Sequence, residues 1–334
     1  MYNQSEVKKI LLIKPRGIGD VILSTIVLKN LKNYYPKTEL HYLTEEFAAP
    51  VLFNNPFIDK IISFGRNYFA SFFQLAWNLR KEKYDIVFDF YSNPRTAQIT
   101  FLTQSPVRVG YNKTGRKYAY TIKIKLEDPN LHSAKAHLEF LKKLKIPIVS
   151  EEIHYVITEQ EKTEAQKFFN NFNGKFVGII PGGGWESKRC EPEKFAEISK
   201  EIFKRLNYKT LILWGESDKE DAQKIFHLTE NFSVLAPPTS IREMVALIDG
   251  CVGIISNDSG PMHLAAAINK PTLGLFGPTN PLAHGPFNSR GGWVRNDNLD
   301  CIQCNLLVCN RNHECMLNLD TNLVVNKFEE LIKK

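Results

Sequence analysis

Positions 257–263 read Asn257-Asp258-Ser259-Gly260-Pro261-Met262-His263, a polar turn that passes into Leu264-Ala265-Ala266-Ala267. The chemistry open to such a stretch is anion binding. Apolar residues 252–255 before it read as a buried strand, and Pro261 stands where a helix can begin. A proline there gives up an N–H that has no intrahelical acceptor anyway. The open amides of a helix start, with the helix dipole behind them, favour a phosphate, and His263 adds a donor within the first turn. An ordinary strand-to-helix connection that binds nothing carries the same local pattern.

A second turn, Pro15-Arg16-Gly17-Ile18-Gly19-Asp20, follows the apolar strand 9–13. Gly17 and Gly19 let the backbone bend sharply and approach a ligand closely. The third glycine of a dinucleotide fingerprint is missing, since position 22 is Ile22, and no phosphate-binding Gly-x4-Gly-Lys-Ser/Thr loop occurs. Asp20 falls at the carboxyl end of the first strand, where open α/β sheets bind ligands. It either faces that crevice or caps the helix that follows. A third turn, Pro181-Gly182-Gly183-Gly184-Trp185-Glu186-Ser187-Lys188-Arg189, follows the strand at 177–180, and Glu216 closes the run Leu211-Ile212-Leu213-Trp214-Gly215.

The elements that must position these turns alternate regularly. Strands are expected at 9–13, 40–43, 60–64 and 84–90, with a helix over 21–35. Residues 66–83 carry Phe69, Phe72, Phe73, Leu75, Trp77 and Leu79 and end in Arg80-Lys81-Glu82-Lys83. A helix packed against the strand at Tyr84 is expected; a basic aromatic helix lying on a membrane surface is the alternative. Residues 108–118 are expected as a basic loop with tyrosines, able to take an acceptor phosphate. Helical periodicity lapses over 144–161, which sets a domain boundary. Helices at 161–171, 193–206, 218–228 and 241–248 then alternate with strands at 177–180, 210–214, 234–235 and 252–255. The expected fold class is α/β, with two Rossmann-like doubly wound domains.

The chain has 334 residues, enough for two domains, with 43% apolar and 24% charged positions, as in a water-soluble globular protein. No apolar run reaches transmembrane length, and residues 1–9 lack the apolar centre of a secretory signal, so a cytoplasmic protein is expected. The net charge of +7 permits an acidic partner without requiring one. No nucleic-acid-binding signature is visible. Near the end stands Cys301-x2-Cys304-x4-Cys309-x5-Cys315. Structural zinc is one reading, although the second pair is too widely spaced for a standard zinc ribbon; disulfides are disfavoured in the cytosol. Cys190 and Cys251 read as lone thiols.

Taken in order, the Gly-x-Gly-Asp turn, the Pro-Gly loop with its lysine, the Leu-Trp-Gly-Glu strand end and the Asp-Ser-Gly-Pro-x-His turn resemble glycosyltransferase family 9. These are the ADP-heptose:lipopolysaccharide heptosyltransferases and their relatives. The likeness extends to 270–279, Lys-Pro-Thr-Leu-Gly-Leu-Phe-Gly-Pro-Thr, and spans nearly the whole chain. It implies the GT-B architecture, two domains facing a cleft: 1–155 binding the acceptor, 156–318 binding the nucleotide sugar, and a last helix within 319–334 packing back on the first domain. It implies inverting, metal-independent sugar transfer, most readily of heptose from ADP-heptose, to a hydroxyl of a lipopolysaccharide core or related glycolipid or oligosaccharide. Contact with the cytoplasmic face of the inner membrane follows from such an acceptor.

By that resemblance Asp20 is the base, Gly17 and Gly19 shape its turn, and Lys188 binds donor phosphate. Asp258 meets the sugar hydroxyls, and Ser259, Gly260, Met262 and His263 cradle the diphosphate. Glu216 holds the ribose or merely caps a surface helix. No Asp-x-Asp of the metal-dependent transferases stands in these motifs, so no cofactor is required. The glycine-rich 182–185 departs from the threonine- and serine-rich loops of some members and leaves the donor's base and sugar open. The alternatives are a GT-B enzyme of another kind, with a different donor or epimerising a nucleotide sugar, and a non-catalytic nucleotide-sugar-binding module.

Overall fold

A computed structural model describes residues 6–65 and 72–334. The chain divides into two compact units, Met1–Tyr155 and Val156–Lys334.

The first unit runs β1 (Lys9–Ile13), α1 (Ile18–Ser24), α2 (Leu28–Tyr34), β2 (Glu39–Glu45), β3 (Lys60–Phe64), α3 (Phe72–Lys81), β4 (Ile86–Asp89), α4 (Pro94–Leu102), β5 (Val107–Tyr111), β6 (Ile122–Ile124) and α5 (Ser133–Lys143). Its six strands are all parallel, in the order β3-β2-β1-β4-β5-β6. Ile10, Leu11, Leu12 and Ile13 are wholly buried, as a strand covered on both faces requires. The order reverses between β1 and β4, where Ile13 pairs with Asp89. Ligands of doubly wound sheets bind beyond the carboxyl ends of the strands at such a reversal.

Two local expectations give way here. The single helix over 21–35 is interrupted by a 3₁₀ turn at Thr25–Val27. Ser24 Oγ donates to the Val21 carbonyl at 2.8 Å and Thr25 Oγ1 to that of Ile22 at 2.7 Å. These hydroxyls compete with the regular backbone ladder. The basic loop at 108–118 begins as strand β5. The Arg108 guanidinium is tied down, with Nε donating to the Ala119 carbonyl at 2.8 Å and a terminal nitrogen to that of Ser105 at 2.6 Å. Of the helix expected over 66–83, α3 covers the later part; Phe69 lies outside the described residues.

The second unit runs α6 (Glu159–Phe169), β7 (Phe176–Ile180), α7 (Pro192–Leu206), β8 (Lys209–Ile212), α8 (Lys219–Thr229), β9 (Ser233–Leu235), α9 (Ile241–Gly250), β10 (Gly253–Asn257), α10 (Gly260–Ala267), β11 (Thr272–Phe276), α11 (Pro281–His284), β12 (Gly291–Arg295), α12 (Glu314–Leu317) and α13 (Thr321–Lys333). The sheet is again six-stranded and parallel, β12-β11-β10-β7-β8-β9, with its reversal between β7 and β10. Reciprocal capping boxes start α6 (Thr158 with Glu161) and α9 (Ser240 with Glu243).

The apolar face of the terminal helix, Val324, Val325, Phe328 and Leu331, belongs to the core of the second unit. Glycines in the sheet make the room. A Cβ at Gly253 would lie 2.8 Å from the Phe328 ring, and one at Gly292 3.1 Å from Leu331.

Candidate active site

The carboxyl ends of β7 and β10 carry the candidate phosphate site. Asn257, the last residue of β10, is buried and joins the two loops. Its amide donates to the Pro181 carbonyl at 2.6 Å and its carbonyl accepts from the Cys190 backbone at 3.1 Å. The loop between those two anchors turns through a 3₁₀ segment at Glu186–Lys188 and presents Lys188 to the next strand end. There Lys188 Nζ lies 2.7 Å from Asp258 Oδ2, which also accepts from Thr279 Oγ1 at 2.7 Å. The ammonium stands 4.3 Å above the centre of the Trp185 ring, a cation–π contact. Both charged side chains are largely buried, Lys188 at 15% and Asp258 at 6% exposure.

Ser259 caps α10, its hydroxyl accepting from the Met262 amide at 3.4 Å. The Met262 side chain is wholly buried. Helix geometry leaves the Ser259 and Gly260 amides without intrahelical acceptors, and Pro261 has no N–H. His263 is buried on the first turn of α10.

Around this centre stand residues whose roles the sequence did not announce. Arg189 Nε donates to the Gly183 carbonyl at 3.0 Å, and its guanidinium pairs with Asp218 at 3.1 Å. The Asp218 carboxylate occupies the space a side chain at position 182 would need, so Gly182 answers a close approach. Burial raises the Asp221 carboxyl above its ordinary value, against the lowering effect of Arg189. Glu216 stands exposed on the turn after β8, two residues before Asp218. The cysteine-rich tail leans on the Lys188 loop: the Ser187 amide donates to the Leu307 carbonyl at 3.2 Å, and His313 Nε2 bonds the Ser187 carbonyl at 2.8 Å.

Cys315 lies within electrostatic reach of the other three tail thiols. Burial, then the charges of Cys309, Cys301 and Cys304, push the Cys315 thiol up to about 11. Among the described residues, no three His, Cys, Asp or Glu side chains are gathered as a metal site.

In the first unit, β1 ends and the chain turns through Gly17 at φ +81°, a conformation that favours glycine. A Cβ there would lie 2.7 Å from Asp20 Oδ2. Gly17 itself is the N-cap of α1, so Asp20 sits in the first turn rather than at the cap. Its carboxylate, 48% exposed, meets the buried Lys14 ammonium at 3.1 Å. Gly19 is buried within α1.

Lys14 leans on the loop after β4, 5.4 Å above the Tyr91 ring. Asp89 shapes that loop, accepting from the Tyr91 and Ser92 amides at 3.1 and 2.8 Å and from the Tyr120 hydroxyl at 2.8 Å. Lys113 and Arg116 reach the carbonyls of Tyr91 and Ser92. Burial, then the neighbouring Arg116 and Lys14, lowers the Lys113 ammonium. Asp20 is thus a half-exposed carboxylate held by the buried Lys14 ammonium. Lys14 stands six residues before it, at the strand end; Asp89, Thr279 and Asn257 also end strands or follow them closely.

Known proteins resemble this chain in sequence and fold. Residues 72–313 match glycosyltransferase family 9 (heptosyltransferase). Lipopolysaccharide heptosyltransferase 2 of Salmonella typhimurium is 25% identical over 309 residues, 86% of this chain and 88% of that protein. Among solved structures, a family 9 glycosyltransferase from Veillonella parvula superposes with a TM-score of 0.85 at 24% identity, covering 98% of this chain and 97% of that one. An E. coli heptosyltransferase solved with ADP superposes with a TM-score of 0.74 at 20% identity, covering 97% and 99%. The chain belongs to glycosyltransferase family 9, the heptosyltransferase family, and is a sugar-transferring enzyme of the two-domain GT-B fold.

Proposed function

We propose that the chain transfers heptose from ADP-heptose to a hydroxyl of a lipopolysaccharide core or related glycolipid, with inversion and without a metal. The observation that carries this reading is the buried Lys188–Asp258–Thr279 cluster beside the first turn of α10. It offers a diphosphate one ammonium and two open amides, and offers a sugar a carboxylate already held in place. The relatives named above act on lipopolysaccharide or were solved with ADP, which supports that donor and acceptor.

In this account the second unit holds the donor. The leaving ADP gains negative charge, which Lys188, His263 and the Ser259 and Gly260 amides stabilise. Asp258 keeps Lys188 oriented and turns its second oxygen to the sugar; Glu216 takes the ribose. Asp20 removes the proton of the acceptor hydroxyl. The acceptor oxygen bonds the anomeric carbon from the face opposite the diphosphate, the bond from that carbon to phosphate oxygen breaks, and the proton rests on Asp20. One displacement inverts the configuration. Lys14 holds the carboxylate in position. The acceptor places the enzyme at the cytoplasmic face of the inner membrane; no described helix is long and apolar enough to cross a membrane. Calorimetric titration of ADP into the wild type and Lys188→Ala, beside a transfer assay with ADP-heptose, tests the reading. It fails if neither ADP nor ADP-heptose binds.

A further inference from the structure

The outer face of α3 and α4 has no part in the chemistry above, yet it is built in an unusual way. Leu79 and Ala76 are buried, and Phe72 and Leu75 pack against the first unit's core. The opposite side of α3 carries Phe73 and Trp77, 77% and 56% exposed, with Arg80 continuing the stripe at helical spacing. These three residues, with Gln74, Ala76 and Leu102, line a shallow hollow. Past Leu102 the patch continues: Phe101 and Tyr118, 44% and 53% exposed, meet edge to face at 5.6 Å. Aromatic side chains of this size, contiguous and in water, mark a surface that something covers.

The charge around the patch says what. Lys81 Nζ stands 5.4 Å above the Trp77 ring, the Arg108 guanidinium 5.9 Å from the Phe101 ring, and exposed Lys117 adjoins Tyr118. Residues 91–126 contain seven lysines and arginines and no aspartate or glutamate, a segment surplus equal to the net charge of the whole chain. The acids next after α3 are engaged elsewhere. Glu82 pairs with Lys9 and Lys60, and Asp85 accepts from the Lys8 and Lys9 amides. Aromatic rings ringed by cations, with Glu82 and Asp85 paired elsewhere, complement an anionic bilayer surface: the rings enter the headgroup level and the cations meet lipid phosphates.

We infer that this α3–α4 face docks the enzyme on an anionic lipid bilayer, with Phe73 and Trp77 as the inserted anchors and Arg80, Lys81, Arg108 and Lys117 as the contacts to phosphate. The inference stands on the patch and holds whichever sugar is moved.

The test is sedimentation of the full chain with large vesicles of phosphatidylcholine, with and without about 30 mol% phosphatidylglycerol. The wild type should sediment with the anionic vesicles, stay in solution with the neutral ones, and be released by about 0.5 M salt. Phe73→Ala with Trp77→Ala, and separately Arg80→Glu with Lys81→Glu, should each weaken anionic-vesicle binding about tenfold or more. All four positions face water, so the variants should melt with the wild type and transfer sugar normally to a water-soluble, deacylated acceptor. No binding by the wild type, or equal binding by the variants, overturns the inference. So does a lipid-free dimer that Trp77→Ala breaks, since the face would then serve a second copy. Failure of ADP binding would sink the donor assignment and leave the vesicle result standing.

Discussion

Lys188 and Asp258 form a largely buried ion pair at 2.7 Å, although one comes from the loop after β7 and the other from the end of β10. The pair ties the loop after β7 to the end of β10 across the sheet's reversal. Removing the ammonium leaves a buried carboxylate with Thr279 alone. Lys188→Ala should therefore lower stability on the order of 3 kcal/mol. It should also weaken ADP about ten- to a hundredfold, the worth of a charge-assisted contact. Thermal melts and calorimetry read the two effects separately. Unchanged ADP affinity would mean that the phosphates sit elsewhere.

Gly17 tests the turn that carries Asp20. A methyl group there combines a strained φ with a collision against the Asp20 carboxylate. Gly17→Ala should cost about 1–3 kcal/mol in stability. Its turnover should fall about a hundredfold through misplacement of the base, with ADP affinity unchanged. A variant with normal turnover would show that the position of Asp20 is immaterial.

His137 sets an acid limit on stability. It is buried edge-on to Phe90, and burial pushes its imidazole down to about 3 from an ordinary 6.5. The folded chain keeps the ring neutral while the unfolded chain takes a proton below 6.5. This contribution is thus fully present above 6.5 and is lost as pH falls toward 3. His41 and His154 are shifted in the same direction, also by burial first. Melting temperatures should decline through that window, and His137→Phe should flatten the decline. An identical slope in the variant would place the acid sensitivity elsewhere.

Much of this architecture was legible because strand periodicity and turn chemistry are local. Apolar runs ending in Gly17-Ile18-Gly19-Asp20 or Asp258-Ser259-Gly260 identify strand ends from a few residues. What escaped the sequence depends on distant partners. Lys14 is an ordinary strand-end lysine until Asp20 and Tyr91 are folded beside it. Thr279 matters only because β11 lies next to β10. The seat of the terminal helix was not legible because its apolar stripe fits any apolar face, and Gly253 and Gly292, which make room for Phe328 and Leu331, lie far from it in the chain.

The thiols give a reactivity order. Burial pushes Cys190 and Cys251 up to about 12, so neither should react with a thiol reagent in the native state. Cys304, the exposed member of the tail, should react first. Zinc held by Cys301, Cys304, Cys309 and Cys315 would reverse this, making Cys304 slow until a chelator is added. Stopped-flow titration with and without chelator, beside zinc analysis, distinguishes the two states of the tail. A metal-free tail requires fast Cys304 labelling without chelator.

We assign proton removal from the acceptor to Asp20, and the Asp20→Asn variant isolates that step. The amide keeps the size of the carboxylate and can still lie against Lys14, but accepts no proton. Single-turnover transfer from ADP-heptose should fall by about two to four orders of magnitude. ADP affinity should stay within a few-fold, and the melting temperature should stay close to that of the wild type. Transfer at the wild-type rate by a folded, ADP-binding Asp20→Asn enzyme would contradict the account and place the base on another residue.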